Sequence, residues 1–184
     1  MTTVFQTLDV TDEMYNMLKW LKNNVAGRWG LPILQWIHVA NNGTLFESSN
    51  GFQLVVAKLN QPLHPDLTDG MYEPVTITKK SITLVKIDDV DGEYPDTSVI
   101  LPVYDKSIPD TETFTSVDPN YLCSAINGFD QVDINFVTSN RPIQIVLRSN
   151  DMPVGTYVAI VMPIHSDYNF KTIQSDIRFV KGKE

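Results

Sequence analysis

The sequence predicts an α+β domain in which one β-α-β-β-β unit occurs twice, with both helices on one side of antiparallel sheets. Three observations lead to this fold class: polar and apolar residues alternate in short runs, apolar residues recur at spacings of three and four in two places, and turn-forming residues separate the runs. The copies share the order of their elements and little residue identity. Two such units can pair their sheets, which predicts a two-sheet α+β architecture.

The first unit covers residues 1–60 and begins with a predicted strand at residues 4–10. Thr11 follows as the N-cap of a helix, because a threonine hydroxyl can accept a hydrogen bond from a free N–H of the first turn. Three strands are predicted after the helix, at residues 33–40, 44–48 and 52–59, and the turns between them contain asparagine and glycine, which tolerate positive φ. One face of the helix is apolar and carries Met14, Met17, Leu18, Leu21 and Val25.

The second unit covers residues 112–165 and repeats this order, starting with a predicted strand at residues 112–117. Asp118 and Pro119 indicate the start of a helix, since aspartate is a favoured N-cap and proline suits the first turn. Strands at residues 132–138, 143–148 and 157–163 complete the unit. The single cysteine, Cys123, lies on the helix, where a buried thiol is the expected state. The apolar face of this helix carries Leu122, Ala125, Ile126 and Phe129.

A long connection, residues 61–111, joins the two units and contains six prolines. Part of it has the pattern of a hairpin, with strands at residues 75–78 and 82–87 that turn through residues 79–81. Residues 166–184 form an extension after the second unit. We interpret residues 1–184 as a single domain, since domains commonly hold about 100–200 residues.

Several segments resemble bacterial DNA sliding clamps, the beta subunit of DNA polymerase III. Residues 116–126, 132–136 and 157–163, which end in Met162-Pro163, are similar to the last part of these clamps. Residues 91–102 are similar to the segment that joins their middle and last domains. Residues 42–54 are similar to the hairpin after the first helix of a clamp domain. The three likenesses occur in the correct order and cover about half of the chain.

The resemblance implies a non-catalytic, DNA sliding-clamp-like protein, related to polymerase processivity factors, that forms an oligomer around duplex DNA and tethers protein partners. Bacterial clamps have three domains per chain and close a ring of six domains from two chains, so a chain with one domain needs more copies. In this family the helices line the hole. The DNA-facing residues would then be Lys19, Lys22, Asn23 and Arg28, and the alternative for them is an ordinary solvated helix face.

Clamps also receive short peptides from polymerases and their loader in an apolar groove, formed partly by the strand before the C-terminus. The matching positions here are Val161, Met162 and Pro163, and methionine suits an adaptable peptide pocket. The alternative is that these residues belong to an edge or core strand. Residues 166–184 follow where the bacterial clamps stop, and this extension could cover the site.

Composition limits the remaining possibilities. A net charge of −8 argues against indiscriminate nucleic-acid coating, which depends on many Lys–phosphate and Arg–phosphate contacts. We find no catalytic motif, and we expect no enzyme activity, no metal site, no cofactor and no membrane span, in a cytoplasmic protein. Two alternatives to the clamp stay open: a clamp-fold protein-interaction module of phage or mobile-element origin that encircles nothing, and a single-strand-binding protein, in which Trp20, Trp29 and Trp36 would stack on bases.

Overall fold

A computed structural model of the chain describes residues 3–28, 30–88, 90, 92–97, 116–135 and 142–164. These residues form nine β-strands, two α-helices and one short 3-10 helix. In chain order the elements are β1 Val4–Thr7, α1 Asp12–Asn23, the 3-10 helix Pro32–Leu34, β2 Ile37–Ala40, β3 Leu45–Ser49, β4 Gln53–Leu59, β5 Gly70–Ile77, β6 Ile82–Ile87, α2 Pro119–Ile126, β7 Gln131–Asn135, β8 Ile143–Arg148 and β9 Gly155–Val161.

The nine strands form one antiparallel sheet with the order β1-β6-β5-β2-β3-β4-β9-β8-β7. The two units meet where β4 pairs with β9, in a register that runs from Gln53 opposite Val161 to Leu59 opposite Gly155. The two units pair their sheets as predicted, but the result is one continuous sheet rather than a two-sheet domain, because β4 and β9 join edge to edge. Six of the seven β4 residues are buried, as expected of a strand that has a neighbour on each side within the sheet.

Both helices begin as predicted and pack on the same face of the sheet, which confirms the predicted fold class. Thr11 Oγ1 accepts a hydrogen bond from the Met14 N–H at 3.1 Å, and Asp118 Oδ1 accepts one from the Asn120 N–H at 2.8 Å. The indole N–H of Trp20 in α1 donates to the carbonyl of Ala125 in α2 at 2.9 Å. This bond ties the two helices together above the sheet.

The core lies between the helices and the sheet. Met17, Leu18 and Leu21 of α1 are completely buried. Burial of each of these side chains stabilises the folded state by roughly 1.5–3 kcal/mol relative to leaving it exposed. They pack in one cluster with inward-facing strand residues such as Phe46 and Ile145, so the helix layer is fixed to strands from both units.

The predicted hairpin of the connection is confirmed and belongs to the main sheet. Ile77 of β5 pairs with Ile82 of β6, and the hairpin lies between β1 and β2. Strand β5 begins at Gly70, well before the predicted start, and it tolerates Pro74 because the register shifts between Pro74 and Thr76. Residues 70–87 are therefore an integral part of the sheet.

Several predicted boundaries needed correction. Val25 lies beyond the end of α1, and residues 33–36 are not strand, because the chain forms a 3-10 turn over Pro32–Leu34 before β2. Phe129 lies outside α2, which ends before Gly128 with its φ of +91°. Cys123 is exposed, so the expectation of a buried thiol was wrong. Residues 112–115 and 136–138, which belong to predicted strands, lie outside the described residues, and Ser116 and Val117 are not in a strand.

Candidate functional site

The polar face of α1 is the first candidate surface. Lys19, Lys22 and Asn23 are exposed on this helix, on the side away from the buried Met17, Leu18 and Leu21. Arg28 is exposed a few residues beyond the helix end. The structure therefore places all four predicted DNA-facing residues at the surface, three of them on the outer side of the helix layer.

A groove of about 250 Å³ runs beside this face, between α1, the end of α2 and the β8–β9 turn. The Asn16 side-chain amide donates to the carbonyl of Asp151 at 3.0 Å and so joins α1 to that turn. The groove offers an ammonium group and amide groups, which can donate hydrogen bonds to phosphate oxygens. Its lining residues include Asn16, Lys19, Asn23, Asn127 and Asp151.

A buried polar network sets the position of the helix layer on the sheet. The Gln53 side-chain amide of β4 donates to Asn24 Oδ1, just past α1, and to Ser124 Oγ of α2. Ser48 Oγ of β3 donates to the carbonyl of Leu21 at 2.8 Å. Buried polar groups of this kind must find partners. Each helix therefore has a defined place above the seam between β4 and β9.

The predicted peptide-groove residues lie at the end of β9. Val161 is completely buried and packs in the core, Met162 is 41% exposed, and Pro163 is half-buried. Only Met162 and Pro163 therefore offer side-chain surface to a partner. The Met162 N–H donates to the carbonyl of Phe52 at 2.9 Å, and the exposed Phe52 ring stacks on Tyr121 with a centroid distance of 5.3 Å.

Sequence reasoning did not single out Phe52 and Tyr121 as part of this surface. They lie far apart in the chain and meet only because β4 pairs with β9 and α2 packs above that seam. Phe52, Met162 and Ile164 are all more than two-fifths exposed. Exposed apolar side chains that lie close together commonly mark interaction sites.

A second polar cluster holds residues 92–97 against strands β2 and β3. Glu47 is nearly fully buried, its Oε2 lies 2.7 Å from Nδ1 of His38, and its Oε1 accepts a hydrogen bond from the Thr97 hydroxyl. The Tyr94 ring stacks on His38 with a centroid distance of 4.6 Å. The buried carboxylate thus anchors part of the segment that resembles the interdomain connection of clamps.

The Tyr94 hydroxyl gives this cluster a testable pH dependence. Burial raises the pKa of Tyr94 above its usual value of about 10, and the nearby Glu47 carboxylate raises it further. The folded state therefore favours the neutral hydroxyl. The free energy of unfolding is unaffected by this titration below about pH 10, and it decreases as the pH rises above that value, because the unfolded chain then loses the Tyr94 proton first. Tyr94→Phe should lose less stability than the wild type between about pH 8 and about pH 11, as measured by urea unfolding at both values.

This substitution should cost nothing near neutral pH, because the Tyr94 hydroxyl is buried without a hydrogen-bond partner in the described part of the chain. Burial also raises the pKa of Tyr157, with a further contribution from Glu13, so Tyr94→Phe retains part of the alkaline loss. An equal alkaline loss in Tyr94→Phe and the wild type would contradict the buried position of Tyr94.

The architecture is similar to that of bacterial DNA sliding clamps in solved structures. A DNA polymerase sliding clamp from Pseudomonas aeruginosa matches with a TM-score of 0.56 and 14% identity, over 89% of this chain and 66% of that chain. The fold is that of the bacterial sliding clamps. The DNA polymerase III beta subunit from Borrelia burgdorferi matches with a TM-score of 0.56 and 13% identity, over 89% of this chain and 64% of that chain. The beta subunit from Thermotoga maritima matches with a TM-score of 0.54 and 15% identity, over 89% of this chain and 65% of that chain.

The likeness to these clamps is one of fold, and the chain spans slightly less than two thirds of the length of each. No protein-family model matches the sequence. Comparison with curated proteins gives no match. The clamp-like fold expected from the sequence resemblance is therefore confirmed by architecture.

Two further observations concern the described residues alone. Their His, Cys, Asp and Glu side chains form no group of three or more that could hold a metal ion. None of their helices is long and apolar enough to span a bilayer.

Proposed function

We propose that this protein is a non-catalytic, DNA sliding-clamp-like protein, related in role to polymerase processivity factors. Several copies assemble into a closed oligomer around duplex DNA in the cytoplasm and tether a protein partner. The observation that carries this proposal is the architecture: one continuous sheet with both helices on the same side, in the fold of proteins described as DNA polymerase sliding clamps.

In this proposal the helix layer faces the duplex. Lys19, Lys22, Asn23 and Arg28 provide cationic and amide groups on that side. The net charge of −8 favours weak contact with DNA overall, while local positive charge decides where contact occurs. Because charge interactions fall off over about 10 Å at ordinary salt, a loosely held duplex can slide past these groups.

Ring assembly would use the two edges of the sheet. Among the described strands, β1 and β7 each have a neighbour on one side only. An unpaired edge presents free N–H and C=O groups that can pair with another chain. Pairing β1 of one copy with β7 of the next is a head-to-tail contact, which generates a ring when the rotation closes. The partly exposed Val4 and Ile134 would be covered in such a contact.

A partner would bind at the end of β9. Met162 and Pro163, with the neighbouring Phe52, form an apolar surface suited to a short peptide of a DNA polymerase or another clamp-binding protein. Val161 would support this surface from the core. The peptide gains affinity from a few apolar side chains rather than from a large interface.

The test is topological. The protein is mixed with a closed circular plasmid below its assembly concentration, concentrated, crosslinked between copies and washed at high salt. A ring that encircles DNA should stay on the circle and should leave after the plasmid is cut once with a restriction enzyme. Equal retention on circular and linear DNA, or equal loss from both, would contradict the proposal.

A further inference from the structure

We infer that Lys79 and Lys80, in the turn of the β5–β6 hairpin, extend the basic surface of α1 and contact phosphates of the duplex. This inference rests on the proposed function and assigns a role to part of the connection between the two units. The ligand is the sugar-phosphate backbone of double-stranded DNA, which is bound without regard to sequence.

The hairpin turn is ordered by Thr78. Its N–H donates to the carbonyl of Ser81 at 2.9 Å, and its Oγ1 accepts from the N–H groups of Ser81 and Lys80 at 3.0 and 3.3 Å. Lys79 and Lys80 are both exposed at this turn. The geometry of the turn therefore presents two adjacent cations on a fixed support.

The turn lies against the helix that carries the predicted DNA-facing residues. Lys79 Nζ lies 2.8 Å from Asp12 Oδ1 and 5.8 Å from the Tyr15 ring centroid. Lys19 Nζ lies 5.3 Å from the same centroid. The two ammonium groups are therefore at most about 11 Å apart. Duplex DNA carries about one negative charge per 1.7 Å of its axis, so both groups can reach phosphates of one duplex together.

The local charge supports an anionic ligand. Lys19, Lys22, Lys79 and Lys80 outnumber the three carboxylates of the first turn of α1 and the adjoining groove, Asp12, Glu13 and Asp151, in a chain whose net charge is −8. The hydrogen bond that Lys79 donates to Asp12 raises the pKa of Lys79. This ion pair is well exposed at both ends, and exposed pairs contribute little, so a phosphate can compete with the carboxylate.

The experiment measures the salt dependence of binding to a short blunt DNA duplex for the full chain and its variants. The slope of log K against log salt is negative. Lys79→Gln with Lys80→Gln should reduce its magnitude by about 0.9 for each lysine that contacts a phosphate. Lys58→Gln is the control, because Lys58 is exposed on the face of the sheet away from the helices and should leave the slope unchanged. Lys79→Arg with Lys80→Arg keeps both charges and should retain the wild-type slope.

A second pair of substitutions, Lys19→Gln with Lys22→Gln, separates this inference from the proposed function. If that pair reduces the magnitude of the slope while Lys79→Gln with Lys80→Gln leaves it unchanged, the hairpin inference is wrong and the helix-facing proposal stands. If all of these variants keep the wild-type slope, both are wrong. If the wild type does not bind the duplex at low salt, the hairpin inference is wrong, and the plasmid test decides the encircling proposal separately. Thermal unfolding of each variant checks that the fold is retained.

Discussion

Replacing Trp20 with alanine is expected to lower the free energy of unfolding by about 3–5 kcal/mol. The side chain is 3% exposed and its ring meets the rings of Phe129 and Tyr157 at centroid distances of 5.0 and 5.9 Å. Its indole N–H also donates a hydrogen bond to the carbonyl of Ala125. The substitution therefore opens a cavity at the place where α1, α2 and β9 meet. Denaturant unfolding measures the loss.

Two further substitutions separate packing from hydrogen bonding at this position. Trp20→Phe retains part of the ring volume but leaves the Ala125 carbonyl without its donor, and should cost about 1–3 kcal/mol. Val154→Ala, at a side chain that is 77% exposed, should change stability by no more than about 0.5 kcal/mol. A loss below about 1 kcal/mol in Trp20→Ala, comparable to a surface change, would mean that Trp20 does not couple the two helices.

Gly155→Ala is expected to destabilise the seam between the two units. A Cβ at this position would lie 2.5 Å from the carbonyl oxygen of Lys58 and 3.0 Å from the Cα of Leu59. Both atoms belong to the backbone of β4, which cannot move aside without disturbing the pairing that joins the units. Overpacking of this kind typically costs about 1–3 kcal/mol, and the rigid neighbour favours the upper part of that range.

Gly27→Ala is the matched control for this substitution, because a Cβ at Gly27 meets no atom within 4 Å. Its unfolding free energy should stay within about 0.5 kcal/mol of the wild type. Hydrogen exchange should locate the effect of Gly155→Ala in β4, β8 and β9. Equal stability of the two alanine variants would contradict the close β4–β9 pairing.

Local signals in the sequence identified most secondary-structure elements. The caps at Thr11 and Asp118 act as predicted, and β8 has the predicted bounds. In the turn between β2 and β3, Asn41, Asn42 and Gly43 all adopt positive φ, as the presence of asparagine and glycine predicts. These features depend on a few neighbouring residues, so the local sequence suffices to predict them.

The sheet order depends on contacts between distant residues, and the sequence pattern did not resolve it. Alternation in β4 and β9 indicates which side chains share a face, but it does not show that these strands pair with each other. The hairpin that turns through residues 79–81 was predicted correctly. Its position between β1 and β2 depends on pairing with strands that are distant in the sequence, so the local pattern did not predict it.

The candidate site was predictable to the same extent. The polar face of α1 follows from helical spacing, and this places Lys19 and Lys22 at the surface. The approach of Lys79 to Tyr15 and the stacking of Phe52 on Tyr121 join residues more than sixty positions apart, so no local pattern reports them. Val161 shows the same limit, because its burial in the core depends on the helix layer above β9.

Ring assembly is tested by the absolute mass of the protein in solution. This mass is measured by light scattering after size exclusion, across a range of concentrations at physiological salt. We expect a closed oligomer of several chains, with a mass that stays constant once assembly is complete. A monomer or a simple dimer at every concentration would contradict an autonomous ring around DNA, because a ring built from chains of this size needs more copies to enclose a duplex.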